Sequence, residues 1–259
     1  MKQNTVNATY DLDTIFVVWQ DSVTRLWHPI GKLTHKNNLY RFNYTRGCKT
    51  SPRFKPFIHM EHIDYVYESE SLFPFFENRV LDPSREEFRE IIRWSDIKID
   101  SGDFNHLEFL AKTGGERKTD NYRIIPCPSS VDGYYVMDFF IHGINYLNES
   151  QKGKLEKLAA GDELDMIFED ENQVDPMAIL IKKDGSKLGY CPKYLAHDFR
   201  EVINTEQLTE KHLVVHKVNI AAPAKYKVLC RFITKWPKDF APFNNQDYLA
   251  VNNKAHLVA

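Results

Sequence analysis

A mainly β fold with accessory helices (α+β), divided into two small domains, is what this sequence of 259 residues predicts. Three observations carry the prediction. Short runs rich in β-branched and aromatic residues recur between turn-forming residues, as the strands of small sheets do. Only a few stretches place apolar residues at helical spacing. The stretch Pro126-Cys-Pro-Ser-Ser-Val-Asp-Gly133 concentrates prolines, serines and a glycine, a composition that favours an exposed joint between domains.

The elements follow in order. Met1 to Asp11 reads as polar and loosely ordered. Strands are expected over Ile15–Trp19, Leu26–Leu33 and Leu39–Tyr44, and the Gly47- and Pro52-containing segment from Thr45 to Pro52 reads as a loop. Phe73, Phe75 and Phe76 anchor a corner of the core. Asp82-Pro83-Ser84 signals a helix start with proline in the first turn, and Phe88, Ile91, Ile92 and Trp94 supply its apolar stripe. A second helix, Asp103 to Lys112, buries Leu107 and Leu110 and ends at Gly114-Gly115. Tyr122–Ile125 is extended and leads into the linker.

Beyond it, Tyr135–Ile141 predicts a strand, and Ser150–Ala160 a helix capped by Ser150 with Leu155 and Leu158 inward. Gly161 closes that helix. Further strands are expected over Leu164–Phe168, Ala178–Ile181, Leu188–Cys191, His212–Ile220 and Tyr226–Thr234, with a short helix over Ala196–Val202. Strands at this spacing, interrupted by two helices, predict a small closed sheet. The domain limits are residues 1–128 and 134–244, followed by a tail, 245–259, that carries too few patterned apolar residues to assign.

Composition excludes several classes. Hydrophobic residues make up 42% and charged residues 27% of the chain. No apolar run approaches the roughly 20 residues that span a bilayer, and the N-terminus lacks a secretory pattern, so the expectation is a soluble, cytoplasmic protein. Cys48, Cys127, Cys191 and Cys230 are scattered and read as reduced thiols, without a disulfide framework or zinc site. His59-x-x-His62 lacks a third ligand at suitable spacing. Thr113 to Asp120 offers backbone N–H groups and cations, but it follows a helix, where a cap with a solvated turn is the better reading. No nucleophile–base motif is present, so neither an enzyme nor a cofactor is expected.

A net charge of −2 gives no overall attraction to polyphosphate. One local row is cationic: Lys225, Lys227, Arg231 and Lys235 are interleaved with Tyr226, Val228, Cys230, Phe232 and Thr234. A period-two strand would present the first set as a ridge, and an ordinary solvated strand face competes with that reading. The turn Asn172 to Ala178 suits a tight bend, because Asn172 and Asp175 have short side chains that accept backbone N–H bonds and Pro176 fixes one dihedral.

The combination Gly143-Ile-Asn-Tyr146, Leu158-Ala-Ala-Gly161-Asp162, Glu171-Asn172-Gln-Val-Asp175-Pro176-Met-Ala178 and Gly189-Tyr190-Cys-Pro192 resembles a HIRAN domain. The resemblance implies a six-stranded β-barrel flanked by two helices that captures nucleic-acid ends without chemistry of its own. It implies that Asp175 accepts a hydrogen bond from a free 3′-hydroxyl and that Asn172 holds the nearby backbone. Lys193 matches a phosphate-contacting lysine, and Tyr190 stands where the family has a pocket histidine. Asn145, Tyr146 and Leu147 replace an arginine and two tyrosines, and Val174 replaces a second stacking ring, so one ring, Tyr146, remains. Pro29-Ile-Gly31-Lys-Leu33, Tyr40–Tyr44 and Leu72–Arg79 resemble the small N-terminal subdomain of HipA toxins, without the kinase core. Together these imply a non-enzymatic protein that binds single-stranded DNA or 3′ ends, in bacterial DNA repair, processing or mobile-element defence. A module that binds a protein partner in a toxin–antitoxin or defence complex is the alternative.

Overall fold

The computed structural model describes residues 12–99, 104–205, 211–252 and 257–258. The segment Met1 to Asp11 and the expected helix start at Asp103 lie outside them. The chain divides into two compact units, one built on Leu12–Arg93 and Ile97–Cys127 with the residues from Ala241 onward, the other on Pro128–Phe240 with Trp94–Asp96.

The first unit begins with β1 (Thr14–Gln20), β2 (Trp27–Lys36), β3 (Leu39–Tyr44) and β4 (Val66–Ser69). Ile15, Phe16, Val17 and Val18 are all buried, because β1 pairs on both edges and is covered on both faces. That is why it reads as a continuous apolar run instead of an alternating one. Three helices follow: α1 (Pro74–Glu77), α2 (Glu86–Trp94) and α3 (His106–Thr113). Asp82 does not open α2; its carboxylate accepts from Ser84 N at 2.8 Å in a turn ahead of the helix. Asn105 caps α3 through Leu107 N and Glu108 N, and Gly114 ends it in the left-handed region. Arg79, stacked 3.8 Å from the Phe75 ring, fixes the aromatic corner and pairs with Asp120. The turn 113–120 is thus a helix cap whose acids are engaged within the fold, Asp120 by Arg79 and Glu116 by Arg123. β5 (Tyr122–Pro126) then pairs with β1.

Part of the expected linker is a hairpin. β6 (Ser130–Val131) pairs with β7 (Tyr134–Phe140) across Asp132 and Gly133, whose φ angles of 50° and 80° suit a two-residue turn with both central residues left-handed. The second unit continues with α4 (Glu149–Leu155), β8 (Asp165–Phe168), β9 (Ile179–Lys183), β10 (Ser186–Tyr190), α5 (Lys193–Asn204), β11 (Lys211–Val218) and β12 (Val228–Lys235). Asn148, not Ser150, caps α4 in a reciprocal box with Gln151. That helix stops at Leu155, short of Ala160 and Gly161. β13 (Leu257–Val258), in the segment left unassigned as a tail, pairs with β4.

The fold is mixed α/β, and the expected six-stranded barrel is not formed. The sheets are β13-β4-β3-β2-β1-β5, β10-β9-β8 and β11-β12-β7-β6, and none closes on itself. In the second unit, among the described residues, the two ladders are joined by single bridges, His142 to Tyr190 and Glu163 to Val214, with a few backbone bonds beside them such as Gly161 N to Val215 O and Leu164 N to Leu213 O. Closure needs continuous pairing around the ring, and β8, with four residues, is too short to supply its share. A shared core offsets the missing ladder. Tyr135, Phe199 and Phe232 are nearly inaccessible and pack edge to face or tilted, with centroids 4.6 to 6.0 Å apart. Burying each such side chain stabilises by roughly 1.5–3 kcal/mol.

Candidate nucleic-acid interface

The turn between β8 and β9 is built by side chains closing on backbone. Asn172 Oδ1 accepts from Val174 N at 2.9 Å and Asp175 N at 3.1 Å. Arg200, one face of α5, donates to the carbonyls of Met177, Pro176 and Ala178 at 3.0, 3.2 and 3.0 Å and pairs with Asp170. Its guanidinium also lies 4.5 Å from the Phe168 ring. Three carbonyls held by one planar donor group fix the turn against the helix.

From that turn a chain of polar side chains extends to β10. Lys187 Nζ donates to Tyr190 Oη at 3.0 Å, Tyr190 Oη donates to Glu169 Oε2 at 3.1 Å, and Asn172 Nδ2 donates to the same oxygen at 2.7 Å. Asp175 ends the series. Its Oδ1 accepts from Met177 N at 3.1 Å, and its Oδ2 lies 3.4 Å from Lys193 Nζ at the start of α5. The Asp175 side chain is 18% exposed and that of Lys193 68%.

The loop carrying Asn145 and Tyr146 is locked to Tyr190 by backbone. His142 and Tyr190 exchange N–H to carbonyl bonds at 2.9 Å. Gly189 makes this approach feasible: a Cβ there would sit 2.4 Å from the His142 carbonyl oxygen. Tyr146 and Val174 are 90% and 91% exposed, both far from the core. Next to Tyr146 in the chain, Asn145 lines an open groove of about 290 Å³ with Lys227, Ile144, Lys152, Leu155, Glu156 and Ala224.

The structure therefore gathers Asn172, Asp175, Tyr190 and Lys193 into one network, and places Asn145 with Lys227. It distributes the cationic row differently. Lys225 lies in a 3-10 turn, Ala224–Tyr226, and Lys227 caps it, so both precede the strand, which starts at Val228. Arg231 faces Asp138 across the ladder and binds it through two bonds at 2.7 and 2.8 Å. Only Lys235 ends the strand as an exposed cation. Sequence reasoning missed Glu169, Lys187 and Arg200, which lie outside the motif fragments and have no linear signal.

Among the described residues no group of three or more His, Cys, Asp or Glu is placed to hold a metal ion. Cys48, Cys127, Cys191 and Cys230 form no disulfide among the described residues, and burial raises the thiols of Cys48, to about 11, and of Cys191. No helix among the described residues is long and apolar enough to cross a membrane.

Comparison with known proteins now bears on this geometry. The HIRAN domain model matches residues 134–237. The C-terminal region is a HIRAN-like domain. Two solved structures are similar in part: a protein from Lactobacillus plantarum, at 18% identity and a TM-score of 0.32 over 39% of this chain and 97% of its own, and the HIRAN domain of human HLTF, at 14% identity and a TM-score of 0.30 over 40% of this chain and 81% of its own. No curated protein matches the chain. None of these findings supports a HipA-like first half, and that resemblance is set aside. The assignment rests on the family match, which covers less than half the chain.

Proposed function

We propose that the HIRAN-like domain is a non-catalytic module that binds single-stranded DNA and reads its free 3′-hydroxyl, and that the two compact units are the protein's two functional domains. The observation that carries this reading is the state of Asp175. One carboxylate oxygen is satisfied by the turn, while the other has a long approach from a mostly exposed lysine. A terminal hydroxyl donates well to such an oxygen, and Lys193 then sits beside the adjoining phosphate. Asn172, Glu169 and Tyr190 hold the carboxylate's turn in place without occupying it. Tyr146 offers an exposed ring for a base to stack on, a contact that contributes roughly 1–3 kcal/mol. Work on processed ends in repair or defence is the biological setting that this chemistry suits.

The test is fluorescence anisotropy of the full chain with labelled ten-nucleotide DNA ending in either a 3′-hydroxyl or a 3′-phosphate. The hydroxyl end should bind about tenfold more tightly, the value of one hydrogen bond to a charged group. Asp175→Ala should erase that difference. Equal binding of both ends by the unaltered protein would remove the reading.

A further inference from the structure

A second cationic surface lies in the first unit. Between Asp21 and Glu61 the chain has eight lysines and arginines and no aspartate or glutamate, although its net charge is −2. Three of the eight are spent within the fold: Lys36 meets Asp13, Arg41 meets Glu68 and Arg53 meets Asp21. A fourth, Lys32, is half-buried over the Phe16 ring, and Arg25, Arg46, Lys49 and Lys55 remain, all exposed.

Topology brings these four to one end of the six-stranded sheet. Gln20 pairs with Trp27 where the β1–β2 hairpin turns, and Gly31 pairs with Tyr44 where β3 leaves the sheet, so residues 45 onward run toward the hairpin tip. The loop is then fastened there. Thr45 Oγ1 donates to Pro29 O at 2.7 Å, His28 Nδ1 lies 2.5 Å from Thr50 Oγ1, and Ser51 Oγ donates to Asp21 Oδ2 at 2.7 Å. Arg53 adds two further donors to the same carboxylate. Asp21 also accepts from Val23 N and Thr24 N, so one inaccessible side chain ties the turn that carries Arg25 to the loop that carries the other three. Trp27 lies alongside, 38% exposed, with the Arg123 guanidinium 5.5 Å from its ring.

We infer that this end of the sheet is a phosphate-binding surface for a nucleic-acid strand, separate from the recognition of a 3′ end. The four cations held here outnumber the one exposed acid of the 3-10 turn packed against Arg46–Lys49, Asp247, and present a net positive field whose neutral complement is a regularly spaced polyanion. Guanidinium groups match phosphate oxygens in pairs, and the accessible indole gives a base a face to stack on. A lipid headgroup surface shares the charge but has no use for the flat ring beside a fork of donors. The inference stands apart from the proposed reading of Asp175.

The experiment uses the full chain and a labelled 30-nucleotide DNA strand whose 3′ end is blocked by phosphate, so that end recognition contributes nothing. Binding is measured by anisotropy between 50 and 200 mM salt. The triple reversal R46E/K49E/K55E should weaken binding at the low-salt limit by at least about tenfold and reduce the slope of log affinity against log salt by about 2, from roughly 0.7 per lost phosphate contact. The neutral set R46Q/K49Q/K55Q should fall between, and guards against an effect of misfolding in the reversed protein. Unchanged affinity and slope in both sets would overturn the inference. So would capture of the chain by vesicles containing phosphatidylserine together with no binding of the blocked strand. Loss of discrimination between free and blocked ends, with the loop effect intact, would instead remove the reading of Asp175 alone.

Discussion

Asp21 in the first unit and Asp175 in the second are both turn aspartates, and the chain treats them oppositely. Asp21 is inaccessible and its two oxygens receive Val23 N, Thr24 N, Ser51 Oγ and two nitrogens of Arg53, all within 3.2 Å. Asp175 keeps one backbone donor and one distant lysine, and remains partly open to solvent. A buried carboxylate with every lone pair answered has nothing left to offer a ligand and stabilises the fold instead. A carboxylate held in place by its neighbours but incompletely answered is suited to recognition. On the proposed reading of Asp175, the number and closeness of donors, not the residue type or the turn, separate the structural aspartate from the recognising one.

The largest expected effect lies on the saturated side. Asp21→Ala leaves the Arg53 guanidinium and Ser51 without their acceptor and unties the loop from the hairpin. The unfolding midpoint of the first unit should fall by upward of about 5 °C, followed by circular dichroism. The same carboxylate gives a pH signature. Its hydrogen bonds with Arg53 hold it well below the usual 3.8, so the native state binds fewer protons than the unfolded chain there. The stabilisation is complete above the unfolded value and is lost as pH falls through the carboxylate range toward the lower folded one. Acid unfolding of Asp21→Ala should therefore be shallower than that of the parent. An unchanged acid limb would show that Asp21 is not the saturated partner the comparison requires.

Asn172→Ala comes next. It removes the acceptor for Val174 N and Asp175 N and leaves Glu169 without the donor at 2.7 Å. A cost of about 1–2 kcal/mol to the second unit is expected from chemical denaturation. The preference for a 3′-hydroxyl should fall together with it, because Asp175 loses the bond that sets its backbone. Retained preference would mean that Arg200 alone places the turn.

Local pattern was legible in the sequence where one segment settles its own structure. The apolar run at Ile15 marks β1, and Gly114 marks the end of α3. The motif around Asn172 and Asp175 identified two residues that do share a network. What was not legible depends on partners far along the chain. Barrel closure turns on which strands pair across many intervening residues, and single bridges at His142 and Glu163 decided it. The cationic row failed as a uniform ridge because Pro223 opens a 3-10 turn that holds Lys225, and because Asp138 on β7 claims Arg231. Asn148 overrides Ser150 as a cap through a reciprocal bond with Gln151, a distinction between two good capping residues two positions apart. Asp21 reaches Ser51 and Arg53 across about thirty positions, and Glu169 reaches Tyr190 across 21.

The smallest effect on stability belongs to Lys193, and it isolates what the open carboxylate is for. The ammonium lies 3.4 Å from Asp175 and is 68% exposed, so water screens the pair and the lysine stem gains little by being held. Lys193→Gln should change the stability of the second unit by no more than about 0.5 kcal/mol. Binding should respond more: with one phosphate contact gone, the salt slope for single-stranded DNA falls by about 0.7, while the ratio between hydroxyl and phosphate ends is kept because Asp175 still accepts. The reverse outcome, lower stability with an unchanged slope, would make Lys193 a structural partner of Asp175 and place that carboxylate in the same class as Asp21.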